Sequence, residues 1–178
     1  ITGAADGIGK SLAQRFGNAN FSILGIDVDE AKAARTKSEL IESGVEASFA
    51  IADLSTASGV QKAMSAVLSG PPIDVWIQNA GINEVGKFSE TDLEQQRKVI
   101  DLNLSASMAM TAGLLRGENL GPGGSMVFVS SLSHYTGYPG ASVYAASKDG
   151  LASYARSLSA GMASSGVHVL TVFPGPTR

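Results

Sequence analysis

The stretch Thr2-Gly3-Ala4-Ala5-Asp6-Gly7-Ile8-Gly9 sets glycines at positions 3, 7 and 9 directly ahead of a segment in which Ile8, Leu12 and Phe16 recur at helical spacing. A glycine-rich turn that feeds straight into a helix is the strand-to-helix junction of an open α/β sheet. Outward from it, short and nearly continuous apolar runs lie at residues 21–27, 45–52, 73–78, 126–130 and 167–173. Runs of that kind are strands buried on both faces. Val60, Ala63, Met64, Val67 and Leu68, and later Leu151, Ala155 and Leu158, keep the helical period between them.

Strand and helix therefore alternate, which requires right-handed crossovers and predicts a single α/β domain: a doubly wound, Rossmann-type parallel sheet with helices on both faces. Boundaries are marked by Gly44 after the second helix, by Gly70-Pro71-Pro72 after the third, and by a capping box from Thr91 to Glu94 ahead of the fourth. The chain opens abruptly at Ile1-Thr2-Gly3 and stops at Pro176-Thr177-Arg178. The first strand and a C-terminal substrate region are accordingly expected to lie outside these residues, in a longer polypeptide whose central strand would join the 45–52 side of the sheet to the 73–78 side.

Its 178 residues suit one domain, and a chain 44% hydrophobic and 16% charged has the balance of a packed globular protein. A formal charge of -3 with 13 scattered basic residues offers no field for nucleic acid. No apolar run approaches the roughly 20 residues that span a bilayer, so no membrane partner is expected. Without cysteine there is no disulfide or thiolate chemistry, and two isolated histidines make no familiar zinc site. A reducing cytoplasm fits that usage.

The glycine turn points to a ligand. One glycine turns the chain, one lets the backbone approach a pyrophosphate, one lets helix and strand pack closely, and the phosphate sits at the helix N-terminus. A plain turn is the competing reading. Asp27 ends a strand eighteen residues beyond Gly9, close to where an acidic group accepts hydrogen bonds from the ribose of an adenosine, or else it is a helix N-cap. Asp6, Asp27 and Val28 leave no basic group for a 2′-phosphate, so NAD is favoured over NADP. Asp53 is either an adenine ligand or a turn cap. Asn79-Ala80-Gly81 follows a strand at the C-terminal edge where open sheets bind ligands.

Tyr144 and Lys148 are four residues apart in a helical segment and project from one face. A phenol with a pKa of about 10 is a poor base near neutrality, and a neighbouring ammonium favours its phenolate. Ser131, thirteen residues earlier, stands just beyond a strand, where a hydroxyl can bond a substrate oxygen as charge develops on it, or serve merely as a cap. Asn103 lies inside the apolar helical stretch 93–115, where its amide needs partners: a bent helix holding a water is one answer, structural satisfaction another. Pro174-Gly175 breaks the last strand and either opens a loop toward a cofactor or reverses the chain.

In this order and spacing, Thr2-Gly3-x-x-x-Gly7-Ile8-Gly9, Asn79-Ala80-Gly81, Asn103, Ser131, Tyr144-x-x-x-Lys148 and Pro174-Gly175 resemble the short-chain dehydrogenase/reductase family over essentially the whole chain. The resemblance implies hydride transfer between a nicotinamide cofactor and a small-molecule alcohol or carbonyl. Tyr144 would be the acid/base, Lys148 would tune it and bind the nicotinamide ribose, Ser131 would position the substrate oxygen and Asn103 would support a proton-relay water. It further implies cofactor contacts at Gly3, Asp6, Gly7, Ile8, Gly9, Asp27, Asp53, Leu54, Asn79, Ala80, Gly81, Tyr144, Lys148, Pro174, Gly175 and Thr177, and a dimer or tetramer. Gln78 departs from the pattern, standing where many members carry a second asparagine. The alternatives are an NADP-dependent carbonyl or 3-oxoacyl reductase of the same family and a dinucleotide sensor without turnover.

Overall fold

A computed structural model describes residues 1–135 and 137–176. The expected alternation is present: α1 (Gly7–Gly17), β1 (Ile23–Asp27), α2 (Glu30–Glu42), β2 (Ala47–Ile51), α3 (Ala57–Leu68), β3 (Ile73–Gln78), α4 (Leu93–Ile100), α5 (Ala106–Arg116), β4 (Leu120–Val129), α6 (Ser142–Gly161) and β5 (His168–Val172). All strand pairs are parallel. Gly44 takes the left-handed conformation that ends α2, with φ +80.

The strands form two sheets, β1-β2 and β3-β4-β5. The seam between them is held by the first residues of the chain. Thr2 N–H donates to Ile77 O at 3.0 Å, while Gly3 N–H donates to Ile26 O at 2.8 Å and Ile26 N–H to Ile1 O at 2.9 Å. Thr2 makes a parallel bridge to Ile26. Ile1 and Thr2 thus lie between the two sheets near the C-terminal ends of β1 and β3.

Helices cover both faces. On one, Ala63, Met64 and Val67 of α3, Met110 and Leu114 of α5, and Leu151 and Ala155 of α6 pack on Trp76, Met126 and Phe128. On the other, Ala13 of α1 and Leu40 of α2 pack on Ile23, Val45, Ile77 and Val129. The alternation of Met126 and Phe128 against Val127 and Val129 along β4 is the pleat that feeds both cores. Among the described residues no helix is long and apolar enough to cross a membrane.

Two local expectations change. The Thr91–Glu94 capping box does not form: Asp92 is the N-cap of α4, its carboxylate accepting from Glu94 N–H at 2.8 Å, while the Thr91 hydroxyl donates to Phe88 O. A carboxylate one residue nearer the helix caps it more directly than the hydroxyl. β4 also begins earlier than its apolar run, because Leu120 pairs with Ile73 before the register shifts through Gly121-Pro122-Gly123-Gly124.

Gly9 and Gly59 sit where a methyl group would meet backbone, the carbonyl oxygens of Gly3 and Asp53 respectively. Gly161, at the end of α6, has nothing within 4 Å of an added Cβ. Overpacking of this kind costs about 1–3 kcal/mol, so Gly9→Ala and Gly59→Ala should each lower Tm by about 2–10 °C in thermal unfolding followed by circular dichroism. Gly161→Ala should leave Tm unchanged or raise it.

Candidate active site

The seam that joins the sheets also builds the site. The Thr2 hydroxyl accepts from Asn79 N–H at 2.9 Å and Ala80 N–H at 3.0 Å, and the Asn79 side-chain amide donates to Thr2 O at 3.1 Å and Gly3 O at 3.3 Å. The glycine turn and the Asn79-Ala80-Gly81 turn, 77 residues apart, are thus one rigid body at the C-terminal edge. Gly3 holds φ +65, a conformation that favours glycine.

Gly7, Ile8 and Gly9 open α1, whose N-cap is Asp6, accepting from Gly7 N–H at 2.8 Å. Bare backbone at a helix N-terminus is a cradle for phosphate. Asp27 closes the turn from the other side: one carboxylate oxygen accepts from Ala5 N–H at 2.9 Å and the other from Asp29 N–H at 3.1 Å. It is not the N-cap of α2, a part taken by Asp29. Buried Thr36 donates to Ala5 O at 2.9 Å and fixes the turn from α2.

Lys32, absent from the sequence reading, stands nearby. Its ammonium is 2.8 Å from the Asp6 carboxylate and 4.0 Å from that of Asp29. Donation by Lys32 holds the Asp6 carboxyl below the usual carboxylate range, and Asp6 in turn raises Lys32. Both groups are solvated, so the pair adds little stability.

Asp53 follows β2 and spends one oxygen on Ser55, accepting from its hydroxyl at 2.7 Å and its N–H at 2.9 Å. The Ser55 hydroxyl is the main reason its carboxyl lies below the ordinary value. This is the turn-capping arrangement. Leu54 buries its side chain in the main core, so a ligand could meet it only through its backbone.

Asn103 is fully buried at the centre of a π-helical segment, Asp101–Ser105, that links α4 to α5. Asn103 thus sits in a widened helical turn. Its amide oxygen accepts from Ile82 N–H at 2.9 Å, and its amide nitrogen donates to Ile82 O at 2.9 Å and to Ser147 Oγ at 3.0 Å. The side chain is satisfied and clamps the strand-end loop against α6.

α6 presents Tyr144 and Lys148 together. Lys148 is 4% exposed, its Nζ lies 5.9 Å from the centre of the Tyr144 ring, and it donates to Val129 O at 2.9 Å. A Cβ on Gly81 would come within 3.1 Å of both Lys148 Nζ and Asn103 Oδ1, so the three approach closely around this glycine. The Ser130 hydroxyl donates to Lys148 O at 2.9 Å, tying the helix to the end of β4, and the Ser147 hydroxyl donates back to Tyr144 O within α6 at 2.7 Å. Ser131 accepts from Ser133 N–H at 3.1 Å, an arrangement that leaves its proton for donation. Pro174 O accepts from Leu132 N–H at 3.1 Å, and Gly175 packs on Leu132, so the loop after β5 joins the same edge. Thr177 lies outside the described residues.

The structure therefore brings Gly3, Asn79, Gly81, Asn103, Tyr144 and Lys148 to one edge, with the Asp6, Asp27 and Asp53 carboxylates around the adjoining strand ends. Sequence reasoning did not find Ser130, Ser147, Lys32 or the Ile82 backbone. Ser147, three residues past Tyr144 in an otherwise apolar helix face, was the one with a readable signal.

Parallel strands with a glycine-rich turn and a tyrosine–lysine pair at the C-terminal edge define a Rossmann-type protein with a dinucleotide-compatible site. The short chain dehydrogenase profile matches residues 1–178, and the chain belongs to that family. It is 32% identical to the probable oxidoreductase EphD of Mycobacterium tuberculosis strain H37Rv, over 98% of this chain and 30% of that protein. It is 31% identical to the 3-oxoacyl-acyl-carrier-protein reductase FabG of Chlamydia trachomatis, over 98% of this chain and 71% of that one. The crystal structure of an actinorhodin polyketide ketoreductase with NADPH superposes with a TM-score of 0.93 at 30% identity, covering all of this chain and 69% of its own. The chain spans under a third of EphD's length.

Burial pushes the Lys148 ammonium from 10.5 down to about 8. Between those values the unfolded chain holds a proton that the folded protein has released, so stability rises with pH across that window. The burial cost is fully present below about pH 8. At about 1.4 kcal/mol per pH unit the drop corresponds to about 3 kcal/mol. Denaturant unfolding at pH 7.5 and 10.5 should show wild type gaining about 3 kcal/mol on Lys148→Met, and a difference independent of pH would contradict the buried charge.

Proposed function

We propose that the protein is an oxidoreductase interconverting an alcohol and a carbonyl compound with NAD(H), and that Tyr144 is its acid/base. The observation that carries the reading is the buried Lys148 ammonium, 4% exposed and 5.9 Å from the Tyr144 ring, held at the sheet edge by Val129 O. A charge that costs stability at this depth is retained for chemistry.

The residues present fit a dinucleotide. The bare backbone of Gly3, Gly7, Ile8 and Gly9 suits a pyrophosphate, the Asp27 carboxylate suits ribose hydroxyls, and Ala80, Gly81, Pro174 and Gly175 suit the nicotinamide half, with Thr177 added to them on the family resemblance alone. Asp53 and the Leu54 backbone suit the adenine end. When bound, the nicotinamide supplies or accepts a hydride at the substrate carbon. The chain supplies the rest. In reduction the Tyr144 hydroxyl gives its proton to the forming alkoxide oxygen, and in oxidation it takes that proton from the alcohol. The Ser131 hydroxyl donates to the same oxygen and holds it in place. Lys148 stabilises the phenolate left on Tyr144 and offers its ammonium to a ribose hydroxyl. Because the Asn103 amide is committed to Ile82 and Ser147, any support of a relay water falls to main-chain groups of the π segment.

A second reading, an NADP-dependent carbonyl or 3-oxoacyl reductase, is supported by the similarity to the 3-oxoacyl-acyl-carrier-protein reductase and to the ketoreductase with NADPH, and by the Lys32 ammonium at the glycine turn, which could leave Asp6 for a 2′-phosphate. The Asp6 and Asp27 carboxylates favour NAD by repelling that phosphate. The same proposal makes the protein a cytoplasmic homo-oligomer, supported by the lack of cysteine and by exposed Leu93 and Met108 along α4 and α5.

Tyr144→Phe should lower kcat by about 10²–10⁴-fold with NADH affinity unchanged; wild-type NADH binding without turnover of any alcohol or carbonyl would favour a sensor. Fluorescence titration should show tighter NADH than NADPH binding, with the preference lost in Asp27→Ala. Tighter NADPH binding that ignores the substitution would put the reductase first.

A further inference from the structure

Beside Tyr144 lies a pocket of about 340 Å³, between the loop after β3 and the loop ahead of α6. The loops are zipped by Gly86 N–H donating to Gly140 O at 2.9 Å. Phe88, Tyr138, Pro139 and Val143 supply apolar and aromatic walls, and Glu84 and Gln96 supply its polar groups. The Tyr138 ring meets the Tyr144 ring edge to face, with centres 6.4 Å apart, so the pocket adjoins the acid/base. Phe88 is 80% exposed and has the flat, uncovered surface on which a ring can stack.

Glu84 distinguishes this pocket. It is half-buried, and among the described residues it makes no ion pair or hydrogen bond. The nearest lysine along the loop, Lys87, is engaged with Glu90 at 3.1 Å. The carboxylates of Asp92 and Glu94 stand at the start of α4 and Arg97 and Lys98 in its last turn, and among the described residues no arginine or lysine lines the cavity. Glu84 is therefore the one charged side chain among the described residues lining the pocket, and a partly desolvated carboxylate acts on a ligand charge more strongly than one in bulk water.

Resting on the oxidoreductase reading, we infer that Glu84 determines substrate class: the pocket takes an alcohol or carbonyl whose far end is an apolar ring bearing a cationic group, accepts the neutral counterpart less well, and turns away carboxylates and phosphates. Glu84 acts by binding and takes no part in proton transfer. The walls hold the ring, Glu84 faces the charged end, and the reacting oxygen is left toward Tyr144 and Ser131.

The test uses the whole protein and three matched ketones, para-trimethylammonio-acetophenone, para-methylacetophenone and para-acetylbenzoate, with binding read by ligand-observed NMR. The expected order is cation, neutral, carboxylate, with the cation about five- to tenfold tighter than the carboxylate at low salt and less so at high salt. Glu84→Gln should bring the three within about twofold, and Glu84→Lys should reverse the order, with unchanged Tm confirming that both variants fold. Equal binding by wild type, a preference that survives Glu84→Gln, or no binding of any ketone overturns the inference. Tyr144→Phe should keep the charge order. NADH oxidation is measured separately, so charge-ordered binding without turnover would sink the oxidoreductase reading and leave Glu84's selectivity standing.

Discussion

Everything at the sheet edge depends on the Thr2 hydroxyl and backbone. Thr2 bridges to Ile26 on one side and donates to Ile77 on the other, and its hydroxyl accepts the N–H groups of Asn79 and Ala80. This cluster bonds to both the β1-β2 sheet and the β3-β4-β5 sheet. It also aligns the phosphate-compatible turn with the loop that carries Gly81. Buried backbone groups must find partners, and here that requirement sets the geometry of the site.

The second constraint is charge. Lys148 is held where water is scarce, and the fold accommodates it with one carbonyl, Val129 O, and with the Tyr144 ring. Asn103 and Ser147 keep the surrounding walls rigid without approaching as charges themselves. A buried ammonium beside a phenol is unfavourable for stability and useful for moving a proton, the usual conflict between the two at reactive sites.

Chain-specific character then comes from the surface around a shared core. At the glycine turn, the Asp6 and Asp27 carboxylates and the Lys32 ammonium gather around the start of α1. At the loop after β3, Glu84 gives its pocket a negative sign. Neither feature disturbs packing, since both lie on loops or helix ends carried by the sheet, and such positions are free to vary in chemistry while the scaffold stays constant.

The sequence by itself determined what is local. Apolar run length located all five strands, helical period located α1, α3, α6 and the stretch that holds α4 and α5, and a spacing of four put Tyr144 and Lys148 on one face, because pleat and helix pitch repeat over a few residues. The apolar helical stretch also marked Asn103 as an amide in need of partners, but whether a bent helix with a water or structural satisfaction met that need was left to the tertiary structure, which satisfies it with Ile82 and Ser147. Tertiary structure decided what joins distant residues: Thr2 to Asn79, Asn103 to Ile82 and Ser147, Ser130 to the Lys148 carbonyl, and Glu84 to a pocket walled by Tyr138. It also decided that Asp29 and Asp92 are the caps of their helices. A hydrogen bond across 44 or 77 residues leaves no period in the sequence, since its partners meet only after the sheet has brought their backbones together.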